Sequence, residues 1–479
     1  MPTLVHARPR APGFWVLGLA LTGFACGAAD SGSPPPSLPP PPPPAGVIAT
    51  VTVDTLTRFQ VMTGWEASAD AALTGGNAEL WREEMINLAV TDLGLNRLRL
   101  PYRNGSENPV DNYTEFQEGR LTNTEWRCKR YTTINDNSDP NVFAPGGFYW
   151  TEMDNRVEKL VLPMKQRLEA QGESLVLSLT YIAFLSQCNP LPPYPHINPA
   201  EYAEFVLAAF LHLQQKYGLV PNNVEVLLEP DNTGAASPWN GNGTAIGQAI
   251  VATGQRLAAA GFHPKFTAPS TKGMNTAITY FDDLIKVPGV LPFIGEIAYH
   301  RYGGVSDANL TAIADRGRAN GVKTAMLEHI GSGVEDLYKD LVLGRVSAWE
   351  QFTMAFALAD DGAQYYVIVN NQPVLGIRSR YLRQYFRYVR LGAQRVGAGS
   401  DNPAVRPVAF VNQNGKTAVV IHVAGAGDIF VRGLRPGTYG TSVTTDAATG
   451  MELGNQVVGP FGTMVVAAPA GSVLTVYRQ

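Results

Sequence analysis

The chain is poor in cysteine, with three among 479 residues, and poor in charge, with Asp, Glu, Lys and Arg making up 16% of it. Three thiols at irregular spacing do not supply the paired ligands of a zinc module or the dense framework of a small disulfide-stapled domain. A formal net charge of −4 leaves no strongly basic face for nucleic acid or an anionic membrane surface, so neither partner is expected. The nucleophile elbow G-x-S-x-G is missing, and so is the zinc signature H-E-x-x-H. No Gly-rich phosphate loop follows the first strand, which argues against an open nucleotide-binding sheet. Neither a metal nor a cofactor is therefore expected. Long apolar runs are also scarce. The one near the start, Gly13–Ala25, is too short to span a bilayer comfortably as a permanent helix.

That short run reads instead as an export signal over residues 1–26. Arg8 and Arg10 precede it, and Cys26 follows it at once. A Cys in this place resembles the lipid-attachment site of bacterial lipoproteins, although Gly23 stands where those motifs usually have Leu. Cell-envelope anchoring through a lipidated Cys26 and simple secretion are the two readings. Residues 27–46 form a linker containing the tract SPPPSLPPPPPPAG, an extended spacer that would hold a globular body away from an anchor. If Cys26 carries lipid, Cys128 and Cys188 remain, either as one disulfide or as two unrelated thiols.

The body alternates short β-branched runs with amphipathic stretches. Strands are expected at Gly64–Trp65, Leu95–Pro101, Ser174–Tyr181, Val224–Glu229, Lys265–Pro269, Ile294–His300, Lys323–Glu328 and Gln364–Asn370. Helices are expected at Pro199–Tyr217 behind an Asn198 cap, Gly243–Ala260, Asp307–Asn320 and Ser347–Ala359. Eight strands alternating with helices predict an α/β fold, a (β/α)8 TIM barrel, over residues 63–392. Residues 393–479 read as a C-terminal β-sandwich of short strands that borrows an N-terminal strand from residues 47–62.

Functional residues of such a barrel lie at the C-terminal strand ends. Two of these ends finish in glutamate: VEVLLE at Glu229 and KTAMLE at Glu328, the fourth and seventh strands in this count. Paired carboxylates across a cleft are what glycosidic cleavage requires, one as acid/base and one as nucleophile or base. Both follow apolar runs, where burial is expected to raise a carboxyl pKa. Trp65, Trp150, Tyr181 and Trp239 lie near strand ends, where aromatic faces hold sugars, and Glu66 is a third carboxylate on the same side.

Several fragments carry a family likeness: FQVMTGW at Phe59–Trp65, NRLRLP at Asn96–Pro101, Glu229-Pro230, His300-Arg301-Tyr302, Glu328 and YLRQYFRYVRLGAQRV at Tyr381–Val396. Together they resemble clan A retaining glycosidases, and most of all glycoside hydrolase family 30. The resemblance implies Glu229 as acid/base and Glu328 as nucleophile, with Arg99, His300 and Tyr302 lining the site. It also implies a β-linked polysaccharide or oligosaccharide substrate. One departure stands out. The family usually has Asn before the acid/base, to bind the sugar 2-OH, and this chain has Leu228; Asn232 is a candidate replacement donor. The competing readings are a non-catalytic carbohydrate-binding lipoprotein on the same scaffold and a transglycosylase.

Overall fold

The computed structural model describes residues 41–69, 77–356 and 360–479. The expected export segment, Cys26 and most of the proline tract lie outside these residues.

Eight parallel strands close into a barrel: β2 (Gly64–Ser68), β3 (Arg97–Arg103), β4 (Val176–Ile182), β5 (Asn223–Glu225), β6 (Lys265–Gly273), β7 (Ile294–Gly303), β8 (Lys323–Glu328) and β9 (Val346–Phe356). They are hydrogen-bonded in chain order, and β9 pairs with both β8 and β2 to close the ring. Alternation along β3 explains the inside and the outside. Leu98, Leu100 and Tyr102 pack into the apolar layer under the helices, while Arg97 and Arg99 reach acidic partners on strands across the barrel. The helix Pro199–Tyr217 forms as expected, with Asn198 accepting from the Ala200 N–H, Pro199 in its first turn and left-handed Gly218 at its end.

The eighth barrel strand is a correction. Ser347–Ala359 is expected as a helix, yet β9 takes up residues 347–356 of it, the last three positions lying outside the described residues, and the expected eighth strand is β10 (Gln364–Val369), added outside the ring beside β9 with β11 (Gln372–Leu375). The apolar residues of SAWEQFTMAF fall at helical spacing, and its internal Glu350 mimics a polar helix face. In the fold Trp349, Glu350 and Gln351 are all fully buried, because a barrel strand is covered on both sides.

The C-terminal sandwich comprises β12 (Gln394–Ser400), β13 (Val405–Val411), β14 (Thr417–Val423), β15 (Gly427–Arg432), β16 (Gly437–Thr444), β17 (Met451–Val458), β18 (Thr463–Ala468) and β19 (Ser472–Arg478). It borrows β1 (Ala49–Val61), which lies antiparallel to β12 and parallel to β15. Sequence patterning missed β12 and β17. The first carries three small residues (Gly397, Ala398, Gly399), and the second is exposed along nearly its whole length, so neither shows clean alternation.

Candidate active site

Glu229 and Glu328 arrive at one place from opposite directions in the sequence. The β5 ladder continues irregularly past Glu225: Leu228 N–H donates to Tyr181 O (2.9 Å) and Glu229 N–H to Ser270 O (2.9 Å). Glu229 itself has φ 50°, a left-handed conformation that costs a non-Gly residue on the order of 1–2 kcal/mol. That turn aims its carboxylate across the barrel mouth. One oxygen of Glu229, one of Glu328 and a ring nitrogen of His300 all lie within 4.8 Å of one another.

Each carboxylate has its own donors. His300 Nδ1 donates to Glu229 Oε1 (3.1 Å) and Asn232 Nδ2 to Glu229 Oε2 (2.6 Å). Tyr302 OH donates to Glu328 Oε1 (3.1 Å) and Arg99 Nη1 to Glu328 Oε2 (3.1 Å). Arg99 is seated by a two-pronged pair with Glu225 (2.9 Å each), by Leu327 O (2.9 Å) and by Glu350 (3.2 Å).

Burial pushes Glu229 upward, as expected, but the His300 hydrogen bond and charge, with Asn232 and Lys272, outweigh it and hold the carboxyl below its ordinary value. His300 shows the reverse. Burial lowers it, and the negative charges of Glu328 and Glu229 carry it above its ordinary value. The two shifts together favour the imidazole side for a proton shared by the pair. Tyr302 is raised by burial and by Glu328, so it stays a neutral donor.

A cavity of about 220 Å³ opens over the two carboxylates. Arg99, Glu229 and Glu328 form one side. Leu228, with Tyr131, Ile182 and Phe184, forms an apolar wall, and Arg103, Arg130 and Phe352 are among the other lining residues. A disulfide joins Cys128 to Cys188, tying the helix Asn123–Lys129 to the loop beyond β4 beside that wall. A larger hollow of about 490 Å³ lies between the barrel and the sandwich. Both of its acids are already engaged, Glu335 by Arg406 and His422 and Asp446 by the Tyr381 hydroxyl (2.6 Å).

The structure thus brings Arg99, Asn232, His300 and Tyr302 to Glu229 and Glu328, and places five other residues expected near the sugar elsewhere. Trp65 is buried against Phe386 (ring centroids 4.4 Å apart), and its Nε1 donates to Val389 O. Glu66 lies in the barrel interior, 3.0 Å from Arg97 Nε. Tyr181 points outward and is hydrogen-bonded to His196 and Tyr194, and Trp239 packs edge-on against Tyr194 and Tyr202. Trp150 is likewise core, stacked on Phe148. Nearness to a strand end does not decide the direction a side chain takes. Asn232 holds Glu229 itself, so its amide does not stand in for the donor that Leu228 lacks. Glu225 and Glu350 escaped the sequence reading as partners of Arg99. The signal for Glu225 was a lone acid between valines in mid-strand, while Glu350 was hidden by the helical reading of β9.

Glu229, His300 and Glu328 are the described residues whose ligand atoms gather closely enough for a divalent ion. Arg99 already places a positive charge on Glu328, and His300 Nδ1 is turned to Glu229, an arrangement suited to proton transfer more than to cation binding.

No family model and no curated protein matches the sequence. Solved structures do. The catalytic domain of the family 30 glycoside hydrolase xylanase C from Talaromyces cellulolyticus superimposes with a TM-score of 0.65 at 16% identity, over 90% of this chain and 100% of that one. The family 30 subfamily 8 xylanase from Clostridium acetobutylicum gives 0.63 at 15% identity, covering 90% and 100%. An endo-β-1,6-glucanase gives 0.60 at 15% identity, covering 91% and 96%. The chain has the fold of these structures. At such identities the likeness speaks for the architecture, a TIM barrel with an appended β-sandwich, and the chemistry has to be argued from the residues themselves.

Proposed function

We propose that the protein is a retaining glycoside hydrolase in which Glu328 is the nucleophile and Glu229 the acid/base. The observation that carries this reading is the short gap between the two carboxylates at the ends of the fourth and seventh barrel strands. About 5–5.5 Å between carboxyl groups suits covalent double displacement, whereas an inverting enzyme needs about 6.5–9.5 Å to admit water. One oxygen of Glu229 approaches one of Glu328 within 4.8 Å, which favours the first class.

The roles follow from the surroundings. Glu328, with Arg99 and Tyr302 donating to it, attacks the anomeric carbon through a carboxylate oxygen, and the bond to the leaving oxygen breaks as Glu229 donates its proton. Glu229, now ionised, then takes a proton from the water that releases the sugar. His300 supplies and recovers that proton through its Nδ1 bond. The structural neighbours named for xylan and β-1,6-glucan cleavage support a β-linked polysaccharide or oligosaccharide as substrate. The signal-like start, the following Cys26 and the proline spacer support an exported enzyme anchored in the cell envelope or secreted. Lipid labelling of the full chain that persists after Cys26→Ser would remove the anchor from this reading.

The test is covalent trapping. The body from Val47 onward is incubated with a panel of mechanism-based glycosyl inactivators, and any adduct is located by peptide mass spectrometry. An adduct on Glu328 is expected. An adduct on another residue would reassign the nucleophile, and sugar binding with no adduct would favour the carbohydrate-binding reading.

A further inference from the structure

The barrel interior holds more carboxylates than cations. Arg97 is matched by a two-pronged pair with Glu296 (2.8 and 2.7 Å), and Arg99 by the equivalent pair with Glu225. Glu328 draws on what remains of Arg99. Two further acids, Glu66 and Glu350, have no cation of their own, and both are fully buried. Glu66 lies beside Arg97 Nε. Glu350 Oε2 takes a 3.2 Å bond from Arg99 Nη1, a nitrogen that also serves Leu327 O and Glu328. Among the described residues, Oε2 of Glu66 and Oε1 of Glu350 find no hydrogen-bond donor, and Oε1 of Glu66 has only the 3.0 Å ion pair with Arg97 Nε.

Glu66 and Glu350 are also register partners on neighbouring parallel strands, β2 and β9. Partners in register project to the same face from backbones about 4.8 Å apart, so the two side chains enter the barrel together. Buried like charges at that spacing do not both persist, and a proton on one of them removes the conflict. The groups facing Glu350 are Glu66 on β2, Arg99 on β3, Glu225 on β5 and Glu328 on β8. From β10, the Tyr365 hydroxyl is already committed to the Glu66 carbonyl. Burial pushes both Glu66 and Glu350 up, and the pull of Arg97 and Arg99 does not undo it.

We propose that Glu350 is a positioning residue held as the neutral acid, sharing one proton with Glu66 across the β2–β9 pair, so that the free part of the Arg99 charge is directed to Glu328. The proton comes from solvent during folding, and no bond other than O–H is made. An ionised Glu350 would compete with Glu328 for Arg99 Nη1. A neutral one still accepts from it and holds the guanidinium in place.

This rests on Glu328 being the nucleophile, and the experiment separates the two ideas. Glu350→Gln mimics the neutral acid, and Glu350→Leu removes the acceptor. The acid limb of the kcat/KM profile, which reports ionisation of the nucleophile, is expected to stay where it is in Glu350→Gln. In Glu350→Leu it is expected to rise by about one pH unit, with roughly tenfold lower kcat/KM at neutral pH, and the Gln variant restores both. A fall of the acid limb by about a unit in Glu350→Gln would mean that Glu350 was charged, and identical profiles for all three proteins would mean that it positions nothing; either overturns the proposal. Infrared difference spectra of wild type against Glu350→Gln at neutral pH need no turnover. Loss of a neutral carboxylic-acid carbonyl band is expected, and a carboxylate band lost in its place overturns the idea. A protein inactive on every glycoside would sink the proposed function and still leave the infrared reading decisive for the shared proton. If the Leu variant fails to fold, the Gln profile and the spectra decide the matter.

Discussion

Both parts of this molecule have apolar cores, but they differ in what lies at their centres. The sandwich is packed around an apolar core of Val51, Val419, Ile421, Leu474, Val476 and their neighbours. The centre of the barrel holds Arg97, Arg99, Glu66, Glu225, Glu296 and Glu350, all fully or nearly fully buried. Apolar burial stabilises without regard to direction, at about 25 cal/mol per Å². A buried ion network has first to offset the cost of desolvation, and does so only where the hydrogen-bond geometry is good. The difference suggests where each half is sensitive: the sandwich to lost volume, the barrel to a change of one atom that alters charge.

The sharpest way to break that comparison is an isosteric change in the barrel. Glu328→Gln keeps the shape and removes the charge, and kcat is expected to fall by on the order of 10⁴, equivalent to about 5.5 kcal/mol of barrier. Glu229→Gln is expected to cost roughly 10²–10⁴, with some recovery for substrates whose leaving group needs no proton. Thermal melts of both variants should stay close to wild type, since Arg99 keeps its pair with Glu225. Activity retained in either variant removes that residue from its role.

A change of volume in the sandwich should act in the opposite sense. Ile421→Ala opens a cavity in a fully buried position and is expected to destabilise by about 2–5 kcal/mol. The protein that remains folded should turn over at the wild-type kcat, measured well below its melting temperature. A large fall in kcat without loss of stability would mean that the sandwich is coupled to the site.

The sequence made the architecture legible wherever one physical signal was strong. The helix Pro199–Tyr217 carried its own cap, first-turn proline and terminal glycine, and its bounds follow from them. The glutamates at strand ends could be picked out because a charge closing an apolar run is unusual. What stayed hidden was direction. Trp65, Tyr181 and Trp239 were plausible sugar platforms by position, but their rings pack away from the cavity. The cavity wall comes instead from Tyr131, Ile182, Phe184 and Leu228, contributed by β4 and by the segments that follow the neighbouring strands β3, β4 and β5. Glu350 was lost for a different reason. A strand buried on both faces has no alternation to show, so a helical spacing in Val346–Phe356 prevailed.

The smallest effect concerns the proton shared by His300 and Glu229, and its sign can be worked out in advance. The active form of the pair holds one proton, and the basic limb of kcat/KM marks its loss. That apparent pKa is at least as high as the proton affinity of either partner alone. In the wild type it follows His300, which the charges of Glu328 and Glu229 carry above 6.5. His300→Asn leaves Glu229 to hold the proton by itself, with burial in favour and Asn232 and Lys272 against. The basic limb should therefore move to lower pH, by about one unit or 1.4 kcal/mol, while the acid limb moves less. The same linkage applies to folding. Stability contributed by the raised His300 is fully present below pH 6.5 and is lost as pH rises through the higher folded-state value, so the melting difference between wild type and His300→Asn should shrink on the alkaline side. A basic limb that stays put or moves upward would show that the imidazole does not hold the proton, and Glu229 would then have to be loaded directly from solvent.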